Sequence, residues 1–354
     1  MIFSNYARFF SKYFFFGVAM KAFITAPFYS SALKLLEEND IKVSYHPWIR
    51  SKRILGEKEL IEILNKDSCD ILVVELEYVS DKIIDNTALR IIGICRNDPS
   101  KNIDIEAANR KGVYVLYTPG RNANAVAELT IALMLAVLRK IIRADRLLRS
   151  GKIVIDSFEK FAEFYESLRG AELSGKTVGI IGLGKIGYRV AKKLRGFGVK
   201  LLVYDPYVSD EKIRCVRARR VSLEELLQES DIVTIHVPPT EETIDMIGEE
   251  ELKKMKNNAI LINTASSVVV DEDALFRALK EGWIAGAGLD VSAEEPIDST
   301  NRFLQLDNVV LTPHIGGASY ETIKIHSYMI AYDIIRILKG EKPKFLYNKE
   351  ALKT

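Results

Sequence analysis

From Lys21 onward, short runs of apolar, often β-branched residues alternate with segments whose apolar positions recur every three to four residues. KAFIT is followed by SSALKLLEEN, KVSYHP by EKELIEILN, DILVVEL by SDKIIDNTA and LRIIGIC by NIDIEAANRKG, and the series ends on VYVLYTP. Strands that read apolar throughout are covered on both faces, and the amphipathic segments between them are the covering helices, so this stretch predicts a parallel sheet in an α/β unit. The alternation restarts at TVGIIGLGKIG and continues through LLVYD, DIVTIHVP, AILINTA, AGAGLDV and NVVLTPH. One intervening helix, SLEELLQES, opens with Ser222 and Glu225 spaced as a capping box. The pattern predicts a second α/β unit with a longer sheet.

The segment between the units, AVAELTIALMLAVLRKIIRADRLLRSG, is apolar on nearly all sides, with Asn124 before it and Gly151 as its stop. A helix without a polar face is buried, so this reads as a domain-spanning core helix and, compatibly, as a homodimer interface over Ala125–Arg149. Phe158 to Ala171 carries little pattern and reads as a loop. The last helical pattern, from about Ser319 to Lys339, ends at Gly340 and has no strand of its own to cover. It is expected to cross back onto the first unit. The expected fold class is therefore α/β with two doubly wound Rossmann-like domains: a discontinuous, flavodoxin-like domain of residues 20–120 and 315–354, and a Rossmann domain of residues 121–314.

Residues 1–19 stand apart. They are rich in Phe and Tyr, and Arg8 and Lys12 precede an apolar stretch in the manner of a signal sequence. That stretch, Tyr13 to Met20, has no A-x-A-like site after it and is far short of the ~20 residues that span a bilayer. The expectation is an extension or a mis-assigned start.

Composition narrows the function. In 354 residues, 48% are hydrophobic and 28% charged, as in an ordinary globular protein. A formal charge of +2 provides no broad basic field for nucleic acid, and Arg214, Arg217, Arg219 and Arg220 read as a solvated strand face. Cys69, Cys95 and Cys215 are odd in number and far apart, so neither a disulfide framework nor a C-x-x-C metal site is expected. A reducing, cytoplasmic compartment follows, with no membrane partner and no metal.

Gly182, Gly184 and Gly187 form G-x-G-x-x-G directly after the apolar strand Thr177 to Ile181 and before a helix. Spacing alone is weak; the context makes it strong. The first glycine permits the tight turn, the second lets backbone approach a pyrophosphate, and the third lets the helix sit close to the strand. Asp205 ends the next strand, 18 residues after Gly187, where a carboxylate accepts hydrogen bonds from both ribose hydroxyls. An aspartate there repels a 2′-phosphate, so NAD is expected over NADP.

Two further runs carry chemistry. LTPHIGG holds His314 and GLDVSAEEP holds Glu295. With GIIGLGKIG, YDP, SDIVTIHVPPTEET, LINTA before VDEDAL, and NIDIEAANRKGVYVLYTPG before VAELT, the chain from Lys21 to about Asn348 resembles the NAD-dependent D-2-hydroxyacid dehydrogenases, in particular their phosphoglycerate dehydrogenase-like branch. The resemblance implies that His314 takes the substrate hydroxyl proton while a hydride leaves C2, and that Glu295 hydrogen-bonds the imidazole. A carboxylate beside an imidazole favours its protonated form and orients it. The resemblance also extends the cofactor contacts to Lys185, Ile186, His236, Val237, Pro238, Thr243, Thr264, Ala265, Asp290, Gly316 and Gly317.

One position departs from that family. Arginine is usual after N-T-A, where it forks onto the substrate carboxylate; here Ser266 follows, with Ser267 where glycine or alanine is usual. Serine supplies no charged fork. Arg96, after strand LRIIGIC, is the better substitute because ligands of open α/β sheets sit at strand C-terminal ends. Arg121 in TPGRN is the other candidate. Asn97 and Asp98 replace small residues in the Arg96 loop, so Ser266, Arg96, Asn97 and Arg121 are the expected substrate-side residues. Two functions follow. One is an oxidoreductase for a 2-hydroxy or 2-keto acid, with 3-phosphoglycerate, glyoxylate and hydroxypyruvate as candidates. The other is an NAD(H)-binding, redox-sensing interaction protein that has lost turnover.

Overall fold

The computed structural model describes residues 20–151 and 154–352. The reading of residues 1–19 as an extension lies outside them. The described chain separates into two compact units, one running to Arg121 and resuming at Ser319, the other spanning Asn122–Ala318. Residues 315–318, which the pattern assigned to the first unit, belong to the second. The amides of Ile315 and Gly316 donate to the Asp290 carboxylate at 2.9 and 2.7 Å and so tie this turn to its own sheet.

The first unit is built on β1 (Met20–Ile24), β2 (Ile41–Tyr45), β3 (Ile71–Val74), β4 (Ile91–Ile94) and β5 (Tyr114–Tyr117), all parallel and in the order β2-β1-β3-β4-β5. That order is the flavodoxin-like one. Every residue of β3 and β4 is buried, which is why these strands read apolar without alternation. The helix Tyr320–Leu338 is capped by Ser319, whose hydroxyl accepts from the Thr322 amide. It lays Ile330, Ala331, Ile334 and Ile335 on an apolar face that includes Ala22, Val73 and Ile91. Each large apolar side chain so buried contributes about 1.5–3 kcal/mol.

The second unit holds β6 (Thr177–Ile181), β7 (Lys200–Tyr204), β8 (Arg219–Arg220), β9 (Ile232–Ile235), β10 (Ile260–Asn263), β11 (Gly286–Leu289) and β12 (Val309–Leu311). Their order is β12-β11-β10-β9-β6-β7-β8, again parallel throughout. The strand order reverses at β6, between β7 and β9. Open α/β sheets bind ligands in the crevice at such a switch point. Edge strand β8 is two exposed arginines, each paired with carboxylates: Arg219 with Glu225 and Glu229, Arg220 with Asp210.

Two expectations need correcting. The long apolar helix is two helices, Ala123–Leu138 and Ile141–Arg149, broken where Lys140 takes a left-handed conformation with φ of 52°. The first buries Val126, Ala127, Ile131, Leu133 and Met134, whereas the second has no buried residue. Residues 158–167, read as loop, form the helix Phe158–Ser167, started by the Ser157 hydroxyl accepting from the Lys160 amide. It too has no buried residue, so it lacks the core-facing stripe that makes a helix legible. Among the described residues no helix is long and apolar enough to cross a membrane.

Candidate active site

The glycine turn sits where the strand order reverses. Gly182 has φ of +89°, and a Cβ there would lie 2.7 Å from Val237 and 2.9 Å from the His236 carbonyl. At Gly187 a Cβ would meet the Gly182 carbonyl oxygen at 2.1 Å, so only glycine lets the helix Lys185–Leu194 start this close to β6. Gly184 differs: it caps that helix, is exposed, and has nothing within 4 Å of its would-be Cβ. Open space in front of free helix-terminal amides fits a pyrophosphate. Lys185 stands exposed at the first helical position, while Ile186 packs half-buried onto the core beneath.

A pocket of about 610 Å³ opens beside this turn, lined by Gly182, Gly184, Asp205, His236, Val237, Pro238 and Thr243 together with Tyr204, Pro206, Tyr207, Thr240, Glu241, Glu242 and Met246. None of the second group was singled out as a contact from the sequence, although Tyr204 and Pro206 flank Asp205 in YDP and Thr240, Glu241 and Glu242 belong to SDIVTIHVPPTEET. Asp205 is more engaged than expected. Its Oδ1 accepts from the amides of Tyr207 and Val208 at 2.9 and 3.2 Å, and its Oδ2 accepts from the Leu183 amide at 2.7 Å. Each carboxylate oxygen has about two acceptor sites, which leaves Oδ2 alone with one for a ribose hydroxyl. Arg220 does not offer itself to a 2′-phosphate; it is held by Asp210 and by the carbonyls of Asp205 and Val208. With Asp205, Glu241 and Glu242 on the walls, the charge of the pocket favours NAD.

His236 is buried, its Nε2 3.0 Å from the Thr234 hydroxyl and its Nδ1 without a partner among the described residues. Burial pushes its pKa down to about 3, so the ring is neutral at physiological pH and serves as pocket wall rather than proton carrier. Thr243 braces the neighbouring turn, its hydroxyl donating to the Pro238 carbonyl at 2.6 Å.

The structure brings His314 and Glu295 together across 19 residues of sequence. Nδ1 of His314 lies 2.9 Å from Oε2 and 3.1 Å from Oε1 of Glu295, and Glu295 Oε1 also accepts from the Ser292 amide at 3.3 Å. A ring nitrogen facing a carboxylate carries the proton, which leaves Nε2 as the working nitrogen. The imidazole is 60% exposed, open to a reactant. Its backbone is left-handed, with φ of 54°, a conformation costly for histidine unless its surroundings impose it. The buried Asp290 imposes it: Oδ1 accepts from the Thr312 hydroxyl at 2.7 Å and the Ile315 amide at 2.9 Å, and Oδ2 from the Gly316 amide. A Cβ on Gly316 would sit 2.7 Å from that oxygen, and one on Gly317 3.1 Å from Asn122. Asp290, Gly316 and Gly317, expected as cofactor contacts, are here the frame of the His314 turn.

The N-T-A segment is likewise turned inward. The Thr264 hydroxyl lies 2.9 Å from that of buried Thr130, and Ala265 packs half-buried on the core. Asn263 pins the turn, its Nδ2 donating to the Ser266 carbonyl and its Oδ1 accepting from the Ala265 amide. Ser266 is half-buried with extended backbone, and among the described residues its hydroxyl makes no hydrogen bond.

In the first unit the two candidate arginines differ. Arg121 is committed: one terminal nitrogen pairs with Glu75 at 2.7 Å, the other lies 2.7 Å from His326 Nδ1, and the side chain is 14% exposed. His326 in turn donates from Nε2 to the Pro27 carbonyl, and burial, with Arg121 adding, pushes its pKa down to about 3. Arg121, expected on the substrate side, is tied to Glu75 and His326; its partner Glu75 was not legible. Asn97 is also structural, its Oδ1 accepting from the Gly120 amide at 2.6 Å. Arg96 is held only through Nε, which donates to the Glu75 carbonyl at 2.7 Å, and its terminal nitrogens make no hydrogen bond among the described residues. Burial lowers its pKa below the ordinary arginine range, with Arg121 adding and Glu75 opposing. A half-desolvated guanidinium with a free fork calls for an anion.

Comparison with known proteins identifies the family. Residues 131–316 match the family described as D-isomer specific 2-hydroxyacid dehydrogenase, NAD binding domain. The chain is 42% identical to the glyoxylate reductase of Thermococcus litoralis over 94% of its own length and 98% of that protein's. It belongs to the D-2-hydroxyacid dehydrogenase family. It is accordingly an oxidoreductase that uses NAD. The family member D-3-phosphoglycerate dehydrogenase of Archaeoglobus fulgidus is 37% identical over 91% of this chain and 58% of that one. Among solved structures, the NAD complex of the D-isomer specific 2-hydroxyacid dehydrogenase from Lactobacillus delbrueckii ssp. bulgaricus aligns with a TM-score of 0.77 at 25% identity, covering 93% of this chain and all of that one.

Proposed function

We propose that this dehydrogenase interconverts a short 2-keto acid and its 2-hydroxy acid, with His314 as acid–base and Arg96 as the anchor of the substrate carboxylate. The observation that carries the reading is the imidazole gripped on one side by both oxygens of Glu295 and open on the other. NADH, when bound, would supply a hydride to C2 of the keto acid. His314 Nε2 gives its proton to the former carbonyl oxygen. Glu295 stabilises the imidazolium and holds the ring plane; in the oxidative direction His314 takes the hydroxyl proton back. The uncommitted nitrogens of Arg96 supply the fork that Ser266 lacks.

Glyoxylate and hydroxypyruvate are the favoured acids, in keeping with the reductase relative, and 3-phosphohydroxypyruvate is the next. NADH oxidation followed with each of these and pyruvate tests the assignment. We expect turnover on at least one C2 or C3 acid and a preference for NADH over NADPH; NADH binding with no turnover on any acid would instead support a non-catalytic, redox-sensing role, a reading the named relatives do not favour.

A cytoplasmic setting is supported by three free cysteines. A homodimer is supported by the surface of the second unit, through the C-terminal part of the expected Ala125–Arg149 region and the helix that follows it. Ala123–Leu138 is consumed by its own core. The exposed apolar residues are Ile141, Ile142 and Leu148 on one helix and Phe158, Phe161 and Tyr165 on the next. The first helix carries three arginines and one aspartate, the second three glutamates and one lysine. A two-fold axis pairs the basic helix of one copy with the acidic helix of the other. Sedimentation should give twice the chain mass of 39.9 kDa, and Phe158→Glu with Phe161→Glu should give the monomer.

A further inference from the structure

The pocket beside the glycine turn is crossed by a bridge that the family assignment does not require. Tyr207 comes from the loop after β7 and Glu242 from the loop after β9, and these strands flank β6 on opposite sides. The Tyr207 hydroxyl donates to a Glu242 carboxylate oxygen. Both residues line the same pocket as Gly182, Gly184 and Asp205. A hydrogen bond between the loops on either side of the switch strand therefore spans the crevice in which a dinucleotide lies.

Both ends of the bridge are anchored and its middle is free. Asp205 Oδ1 holds the Tyr207 amide, fixing the base of one arm. The other arm rests on a turn in which the Thr243 hydroxyl accepts from the Thr240 amide at 2.8 Å and donates to the Pro238 carbonyl. Between these supports Tyr207 is 77% exposed, and Glu242 is the hydrogen-bond partner of its hydroxyl. The hydrogen bond to Glu242 raises the phenol pKa, with the carboxylate charge adding, so the donor keeps its proton at physiological pH.

We propose that the Tyr207–Glu242 hydrogen bond is a strap over the adenosine end of the cofactor pocket, which opens to admit NAD(H) and recloses on it, setting the rate of cofactor exchange. The proposal rests on the NAD assignment, and wild-type NADH binding is the control that separates the two. Stopped-flow NADH fluorescence gives association and dissociation rates for the wild type, Tyr207→Phe, Glu242→Ala and the double variant. Each single variant should speed NADH dissociation by about three-fold or more, the scale of one solvent-exposed charge-assisted bond. The double variant should be no faster than the faster single one, because both cut the same bond. Dissociation rates equal to wild type in both single variants, or rate increases that multiply in the double variant, would overturn the strap. Failure of the wild type to bind NADH would overturn the cofactor assignment instead.

Discussion

Replacing His314 with glutamine should lower kcat by about 100- to 10,000-fold, the range that a positioned acid–base group supplies, while leaving the NADH dissociation constant within about two-fold of wild type. Glutamine keeps a hydrogen-bonding side chain of similar length on the same left-handed turn, so the loss reports proton transfer rather than collapse. The turn itself is secured from beneath by Asp290, which accepts from Thr312, Ile315 and Gly316 without using the imidazole. Glu295→Gln should cost less, because an amide still accepts from Nδ1 but no longer stabilises the imidazolium. A pre-steady-state measurement of NADH oxidation, beside a fluorescence titration of NADH, separates the two quantities. A His314→Gln enzyme that turns over at the wild-type rate would remove His314 from the chemistry.

The second large effect is expected at Arg96. Arg96→Leu should raise KM for the keto acid by about ten- to hundred-fold, corresponding to ~1.5–3 kcal/mol for a charge-assisted pair. NADH affinity should not change, since Arg96 does not line the pocket beside the glycine turn. Arg96→Lys should recover only part of the loss, because an ammonium gives no planar fork. The control is Arg121→Leu. Arg121 is tied to Glu75 and His326, so its loss should lower thermal stability more than it raises KM. A steady-state KM for Arg96→Leu equal to wild type would assign the carboxylate to another group.

What the sequence disclosed and what it hid follow from the range of the interactions involved. Strand and helix alternation reflects burial on both faces of each sheet, a local periodic signal, and both parallel sheets were legible from it. The glycine turn was legible because Gly182 and Gly187 are constrained by atoms a few residues away or on the adjacent strand. Side-chain direction was not. Whether Thr264 faces a ligand or Thr130, 134 residues away, depends on a helix that the local sequence does not mention. Arg121 reads as an available cation until His326, 205 residues on, and Glu75 close around it. Asp205 and Asp290 read as ligand acids, yet each first satisfies backbone amides that would otherwise lose their partners. The helix Phe158–Ser167 escaped because nothing of it is buried, although Phe158, Phe161 and Tyr165 share one face, with ring centroids 6.3 and 6.0 Å apart between successive pairs.

The most direct test of the account follows the hydride itself. NADH carrying two deuteriums at C4 of the nicotinamide is incubated with the enzyme and glyoxylate or hydroxypyruvate, and the hydroxy acid formed is examined by mass spectrometry. The account predicts deuterium on C2 of the product with the wild-type enzyme and a much slower appearance of the same label with His314→Gln. Bound cofactor with no label transferred to any 2-keto acid would contradict it.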